Sequence, residues 1–279
     1  MWLQVNGQRA YAYTGGRPFD PSRPVIAFVH GAQHDHSVWI LQTRYLAHHG
    51  WSVLAFDLPG HGRSDGEPLA SVEAMADWVL AALAAAGADK AMLVGHSMGS
   101  LIALDAAARA PDVVERIAMV GAVFPMPVSD ALLDAARDDE PRALDMINRW
   151  SLWGLYSPPS CPGPGFSIWH QNLQLMKRQK PGVLLTDFAA CNAYTAGFER
   201  ADALACPVLF VLGMRDMMTP PRASRPLVER CTAALASRGL PAPTVVEVPD
   251  CGHSLMTEKP ETVLAALREF AARPLKQAA

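Results

Sequence analysis

Short apolar runs with no polar alternation recur along the chain at Val25–Val29, Val53–Phe56, Ala91–Val94, Ile117–Val120 and Val208–Leu212, with Thr244–Val248 as a sixth. A run that is apolar on both sides has no face to offer water, which is the pattern of a parallel strand buried between layers. Helix-length segments separate the early runs: Val38–His49 closed by Gly50, Val72–Ala86 opened by Ser71 and closed by Gly87, and Met98–Ala110 stopped by Pro111. Strands alternating with helices predict an α/β fold with a mostly parallel central sheet flanked by helices. Ahead of it, Asn6-Gly7 between Trp2–Val5 and Gln8–Tyr13 signals a two-residue hairpin, because both turn positions tolerate positive φ.

The alternation lapses between Pro125 and Arg200. There Ser129–Arg137, Arg142–Trp150 and Ser167–Arg178 read as helices with no strong strand between them, and Ser157–Gly165 is too rich in proline and glycine for a helix or a central strand. The expected organisation is a core of residues 1–124 and 201–279, with residues 125–200 inserted as a helical cap and Ser157–Gly165 as a loop inside it.

Composition narrows the class of function. Half of the residues are hydrophobic and only 18% are charged, which excludes a wholly disordered chain. A net charge of -3 gives no electrostatic reason to expect a nucleic-acid partner. The longest apolar stretch, Trp78–Ala88, falls well short of the ~20 residues of a membrane span. The N-terminus lacks a basic segment followed by an apolar run, so a cytoplasmic location is expected. Cys161, Cys191, Cys206, Cys231 and Cys251 are odd in number and never spaced Cys-x-x-Cys, which fits reduced thiols better than disulfides or a zinc site. His34-Asp35-His36 and His48-His49 lack further ligands at a recognisable spacing, so no metal is expected, and none of the motifs implies a cofactor.

The chemistry-bearing pattern begins at Gly95-His96-Ser97-Met98-Gly99, which joins the strand Ala91–Val94 to a helix. That is the context of a Gly-x-Ser-x-Gly nucleophile elbow with Ser97 at its tip. A serine hydroxyl needs a base, and a histidine titrates in the right range to be one. His253 follows Thr244–Val248 in the loop Pro249-Asp250-Cys251-Gly252-His253, beyond a strand end where ligands gather in open α/β sheets. Asp216 follows Val208–Leu212 in a comparable loop and is the preferred acid. Asp250 and Asp202 lack that placement, and Gly121-Ala122-Val123-Phe124 offers no carboxylate. The order serine, aspartate, histidine is that of an α/β-hydrolase.

Taken with His30-Gly31, with Asp57-Leu58-Pro59-Gly60-His61-Gly62-Arg63-Ser64 and with Gly213-Met214-Arg215-Asp216 before Thr219-Pro220, the chain resembles the α/β-hydrolase superfamily over nearly its whole length, in the branch with a helical cap after the sixth strand. The resemblance implies an oxyanion hole from the backbone N–H groups of Ala32 and Met98, with His30 bracing the loop. One departure is Ser100, where many relatives carry glycine. A serine at position 97 argues against the branches that use an aspartate nucleophile. In the cap, Trp150, Trp153, Trp169 and Met126, with Phe166, Met146 and Met176, are candidates to line a substrate pocket or to bury the cap on the core. The expected activity is a cofactor-free serine carboxylesterase acting on small or medium apolar acyl esters. Carbon-carbon bond hydrolysis, lactone hydrolysis and cofactor-free perhydrolysis remain open on the same residues. So does a non-catalytic ligand-binding receptor with this fold, and the oligomeric state is open.

Overall fold

The Asn6-Gly7 turn forms with both residues at positive φ, 51° and 80°, and pairs β1 (Trp2–Val5) with β2 (Gln8–Tyr13) antiparallel. The expected apolar runs become β3 (Val25–Val29), β4 (Ser52–Phe56), β5 (Ala91–His96), β6 (Val114–Val120), β7 (Val208–Gly213) and β8 (Thr244–Val248). They join in one eight-stranded sheet of order β1-β2-β4-β3-β5-β6-β7-β8. β2 meets β4 antiparallel, and the remaining pairs are parallel. This computed structural model describes residues 1–153 and 167–274. The loop expected at Ser157–Gly165, with Cys161 and Phe166, lies outside the described residues.

The absence of polar alternation in β3 to β7 has its reason in the layers above and below. Alternate residues of a strand point to opposite faces, so a sheet covered on both faces needs apolar residues at every position. Ile26, Phe28, Met92, Val94, Ala118, Val120, Leu209 and Val211 pack on one face with Leu46 of α1 (Ile40–His48) and with Val263 and Leu267 of α11 (Pro260–Ala271). Ala27, Val29, Leu93, Ile117, Met119 and Phe210 point the other way, onto α2 (Val72–Ala85), α3 (Met98–Arg109) and α9 (Pro221–Ser237). β8 closes the sheet at one edge and is half-exposed in alternation, as an edge strand should be.

Helix boundaries follow local chemistry. Ser71 caps α2, its hydroxyl accepting the Ala74 N–H at 3.2 Å. The single helix expected over Val38–His49 is instead a 3₁₀ turn, His36–Trp39, running into α1. Asp35 starts that turn by accepting the Ser37 N–H at 2.9 Å.

Between β6 and β7 the chain builds α4 (Asp130–Asp138), α5 (Glu140–Ser151), α6 (Ile168–Met176), α7 (Val183–Ala193) and α8 (Gly197–Ala203), with no strand among the described residues. α7 and α8 go beyond the three helices expected. α4 to α7 share a small core of their own, including Leu132, Leu144, Ile147, Met176, Leu184 and Phe188. α8 is tied to α3 through buried Asp105, which accepts from Tyr194 Oη and Arg200 Nε, both at 3.0 Å. No helix of the described residues is long and apolar enough to cross a membrane.

Candidate active site

β5 delivers the chain straight into α3, leaving one residue to reverse direction. Ser97 makes that reversal at φ 53° and ψ −119°, a conformation a side chain adopts only when its surroundings impose it. The flanking glycines are required by contact. A Cβ on Gly95 would overlap the Gly99 carbonyl, and one on Gly99 would overlap the carbonyl oxygens of Val29 and His30. The Ser97 N–H donates to Val120 O at 2.9 Å, fixing the turn on β6. Ser100 has a role that glycine could not fill, since its buried hydroxyl donates to Gly95 O at 2.9 Å with Val120 O at 3.2 Å as the alternative acceptor. Gly99→Ala should therefore destabilise the fold by about 3 kcal/mol, the upper end of the usual cost of overpacking, and lower the thermal midpoint accordingly.

Asp216 and His253 come from the loops after β7 and β8, neighbouring strands of the sheet. His253 Nδ1 lies 2.7 Å from Asp216 Oδ2, and the aspartate side chain is wholly buried. Asp216 is oriented by its own loop. Its Oδ1 accepts the N–H groups of Met218 at 2.8 Å and Thr219 at 2.7 Å, while the Thr219 hydroxyl donates to Oδ2 at 2.6 Å and stands 3.1 Å from His253 Nδ1. A carboxylate oxygen only accepts, so His253 donates from Nδ1 and keeps Nε2 as the basic nitrogen.

Three further groups hold the histidine loop. The Ser151 carbonyl at the end of α5 accepts from the N–H groups of His253 at 2.8 Å and Ser254 at 3.0 Å. Glu258 of α10 (Leu255–Glu258) accepts from Gly252 N at 3.0 Å and Trp153 N at 2.9 Å. His96 Nε2 donates to the His253 carbonyl at 2.9 Å, with the two rings 4.6 Å apart. Burial, with His253 beside it, keeps the His96 pKa well below its ordinary value, so it stays neutral. Of these groups the sequence singles out only His96 and Thr219, through the motifs that contain them, and gives neither a role. Asp250 lies outside the cluster: its side chain is 68% exposed and faces Arg215 at 3.8 Å.

The loop after β3 carries Ala32 to the same place. His30 braces it, accepting the Leu58 N–H on Nε2 at 3.2 Å and donating from Nδ1 to the Gly31 carbonyl at 2.9 Å. Burial, with His61 close by, holds the His30 pKa far down, which excludes a proton-carrying role near neutrality. Asp35, His36 and Asp57 bring possible ligand atoms within 4.8 Å of one another. Those atoms are already engaged, Asp57 Oδ1 with His36 Nδ1 at 2.7 Å and Asp35 Oδ2 with Arg178 at 3.0 Å. His34 faces away from that group, toward Ala32 O and Asn172.

Ala32, Ser97 and Thr219 line one cavity of about 180 Å³, roofed by the insertion through Met126, Trp150 and Phe188. Of the tryptophans and methionine expected to form a pocket, Met126 and Trp150 are there. Trp153 is not: α5 ends at Ser151, and the chain turns Trp153 outward, 43% exposed beneath the Arg215 guanidinium. Trp169 is half-buried on α6 and does not line the cavity either. Cys191 of α7 does line it, but burial pushes its thiol pKa well above the ordinary value, so it offers no thiolate at neutral pH. A larger groove of about 900 Å³ between α1, α6 and α10 holds none of Ser97, Asp216 and His253.

Comparison with known proteins agrees with this architecture. The chain is 31% identical over 238 residues to a pimeloyl-[acyl-carrier protein] methyl ester esterase of Neisseria meningitidis serogroup C, covering 79% of this chain and 83% of that protein. Among solved structures, the enol-lactonase of Burkholderia xenovorans LB400 superposes with a TM-score of 0.82 at 20% identity, over 98% of this chain and 100% of that one. An esterase of Exiguobacterium antarcticum also reaches 0.82, at 16% identity over 98% and 99%. Residues 26–267 match the alpha/beta hydrolase family as a whole. With its sheet order, its elbow between β5 and α3, and that match over most of its length, the chain belongs to the alpha/beta hydrolase family and is a hydrolase.

Proposed function

We propose that the protein is a serine carboxylesterase for short apolar acyl esters. The observation that carries this reading is the 2.7 Å contact of His253 Nδ1 with buried Asp216, in loops beside a serine held at positive φ on the elbow. Ser97 Oγ attacks the ester carbonyl as His253 Nε2 takes its proton. The tetrahedral oxyanion that forms is met by the N–H groups of Ala32 and Met98. Collapse expels the alcohol, which leaves with the proton from His253, and an acyl-enzyme remains. Water then attacks by the same route, and the carboxylic acid departs. Asp216 keeps the imidazole in the useful tautomer and stabilises its charged form.

Residues 125–200 act as the cap. The cavity beneath them is smaller than the roughly 300–1,000 Å³ that holds a drug-sized ligand, which favours a short acyl group. The methyl ester esterase named above acts on a related bond, and ester hydrolysis is the reading favoured here. The buried unpaired thiols of Cys191, Cys206, Cys231 and Cys251 fit a cytoplasmic setting.

A fluorophosphonate probe should label Ser97, and p-nitrophenyl esters of increasing acyl length should rise in kcat/KM by at most about 0.8 kcal/mol per methylene until the cavity is full, then fall. Trp150→Ala should move the optimum to a longer chain by removing part of the roof. No label on Ser97 in folded protein, or a flat acyl profile unchanged in Trp150→Ala, overturns the respective part of the reading.

A further inference from the structure

Asp187 of α7 is fully buried, and its Oδ2 is a meeting point. The Gln33 N–H donates to it at 2.8 Å, and His61 Nε2 lies 2.9 Å away. His61 is also buried, and its Nδ1 faces the Pro59 carbonyl oxygen at 2.9 Å. Both ring nitrogens thus face oxygens that only accept, so the ring donates from both and carries a positive charge opposite the Asp187 carboxylate. Burial opposes that charge, and Asp187, with the Pro59 carbonyl and Asp57, overrides it, so the His61 pKa stands above its ordinary value. The pair joins the loop after β4 to the insertion across 126 residues of sequence.

Gln33 connects this pair to the chemistry. It directly follows Ala32, is buried, and sits at φ 59°, where a residue with a side chain stays only under constraint. Its side chain donates to Met176 O at 3.1 Å and to Glu140 Oε1 at 3.4 Å. Together with the N–H bond to Asp187, these contacts constrain the turn from α5, α6 and α7, all in the insertion. The strand that leads into the loop belongs to the core. The turn after Ala32 is therefore held from above.

We infer that Asp187 is a positioning residue for hydrolysis, which, paired with His61, fixes the turn at Gln33 and so aims the Ala32 N–H at the oxyanion. The inference rests on the reading of Ala32 as an oxyanion donor. It also gives the insertion a second duty besides roofing the cavity: a cap that swung away on α7 would release the oxyanion loop. Oxyanion contacts strengthen as the tetrahedral species forms, whereas the apolar cavity binds the ground state. Loosening the turn should thus lower kcat and leave KM nearly unchanged.

Asp187→Asn retains the side-chain shape and an oxygen that can stand at the Oδ2 position, but it removes the negative charge opposite His61 and sets an NH₂ in the place of Oδ1. In the full chain, with a short-acyl p-nitrophenyl ester, it should lower kcat at least tenfold with KM within threefold. Binding of an alkyl boronic acid, whose serine adduct places an oxyanion in the hole, should weaken at least tenfold. His61→Gln should act in the same direction and carries the same criterion if Asp187→Asn does not fold by circular dichroism. Asp105→Asn, at a buried carboxylate bonded to Tyr194 and Arg200 instead, should lower the thermal midpoint and leave kcat and boronic acid affinity within twofold. A folded Asp187→Asn with kcat and boronic acid affinity within twofold of the parent overturns the inference, as does an equal loss in Asp105→Asn. If the parent protein is neither labelled at Ser97 nor active on esters, it is the serine-esterase reading that falls; a labelled and active parent confines the failure to Asp187.

Discussion

Ser97→Ala is expected to reduce kcat/KM for short-chain p-nitrophenyl esters by roughly 10⁴- to 10⁶-fold, the range found when the nucleophile of a Ser-His-Asp triad is removed. The fold should survive, because the change deletes one oxygen that lines the cavity and leaves the features that impose the turn. The bond from Ser97 N–H to Val120 O, the two glycines that admit the close approach, and the Ser100 hydroxyl on Gly95 O are all retained. Circular dichroism and the thermal midpoint should match those of the parent, and fluorophosphonate labelling should vanish. A folded Ser97→Ala protein that keeps more than about a tenth of the parent activity would remove Ser97 from the reaction.

Asp216→Asn should cost about 10⁴ in kcat, the effect of the same change in a triad with intact geometry. The structure explains how the loss arises without unfolding. Asp216 Oδ1 accepts the N–H groups of Met218 and Thr219, which an asparagine Oδ1 can do equally well. The new NH₂ then stands where Oδ2 was, facing His253 Nδ1 and the Thr219 hydroxyl. To avoid two opposed donors, the imidazole must accept on Nδ1 and carry its proton on Nε2, so it can no longer take the proton of Ser97. Asp250→Asn is the control. That side chain is mostly exposed, and its backbone sits at φ 48°, where asparagine is at home, so activity should stay within twofold. If Asp250→Asn is the damaging change, the acid is Asp250 and the assignment of Asp216 falls.

Local physics makes much of this protein legible in its sequence. Apolar runs without a polar face are read as two-sided strands, and β3 and β8 have the expected ends, while β5, β6 and β7 run one to three residues longer. The Asn6-Gly7 hairpin, the Ser71 cap and the glycines of the elbow are legible because each requirement is met within a few residues of chain. Asp216 and His253 are legible as candidates for a related reason: in an open parallel sheet, loops at the C-terminal ends of strands share one edge, so chain order and strand-end placement nearly fix which side chains can meet.

Helices α7 and α9 are harder to read. α7 buries Val183, Leu184, Asp187, Phe188, Ala190 and Cys191, but an aspartate stands on that face while Leu185, Ala189 and Ala193 lie outside it, which blurs the helical period in the sequence. α9 begins at Pro221, which a first turn tolerates, and carries Pro226 inside the helix, so both residues read as breakers in the sequence.

Packing alone sets which groups face one another from distant parts of the chain. Trp150 and Trp153 are three residues apart with the same chemistry. One roofs the cavity and the other lies on the surface under Arg215, because α5 ends between them. Ser151 contributes only a carbonyl, which any residue possesses, yet it holds the histidine loop. Asp187, His61 and Gln33 have no shared motif, and their roles come from burial around one carboxylate oxygen. The strands, the elbow and the candidate triad are legible in the residues alone, since hydrophobic period, turn sterics and strand-end placement are properties of short segments. The cavity, the bracing of its loops and the charge state of His61 were left to packing, because desolvation and hydrogen-bond partnership depend on everything that surrounds a group and not on its neighbours along the chain.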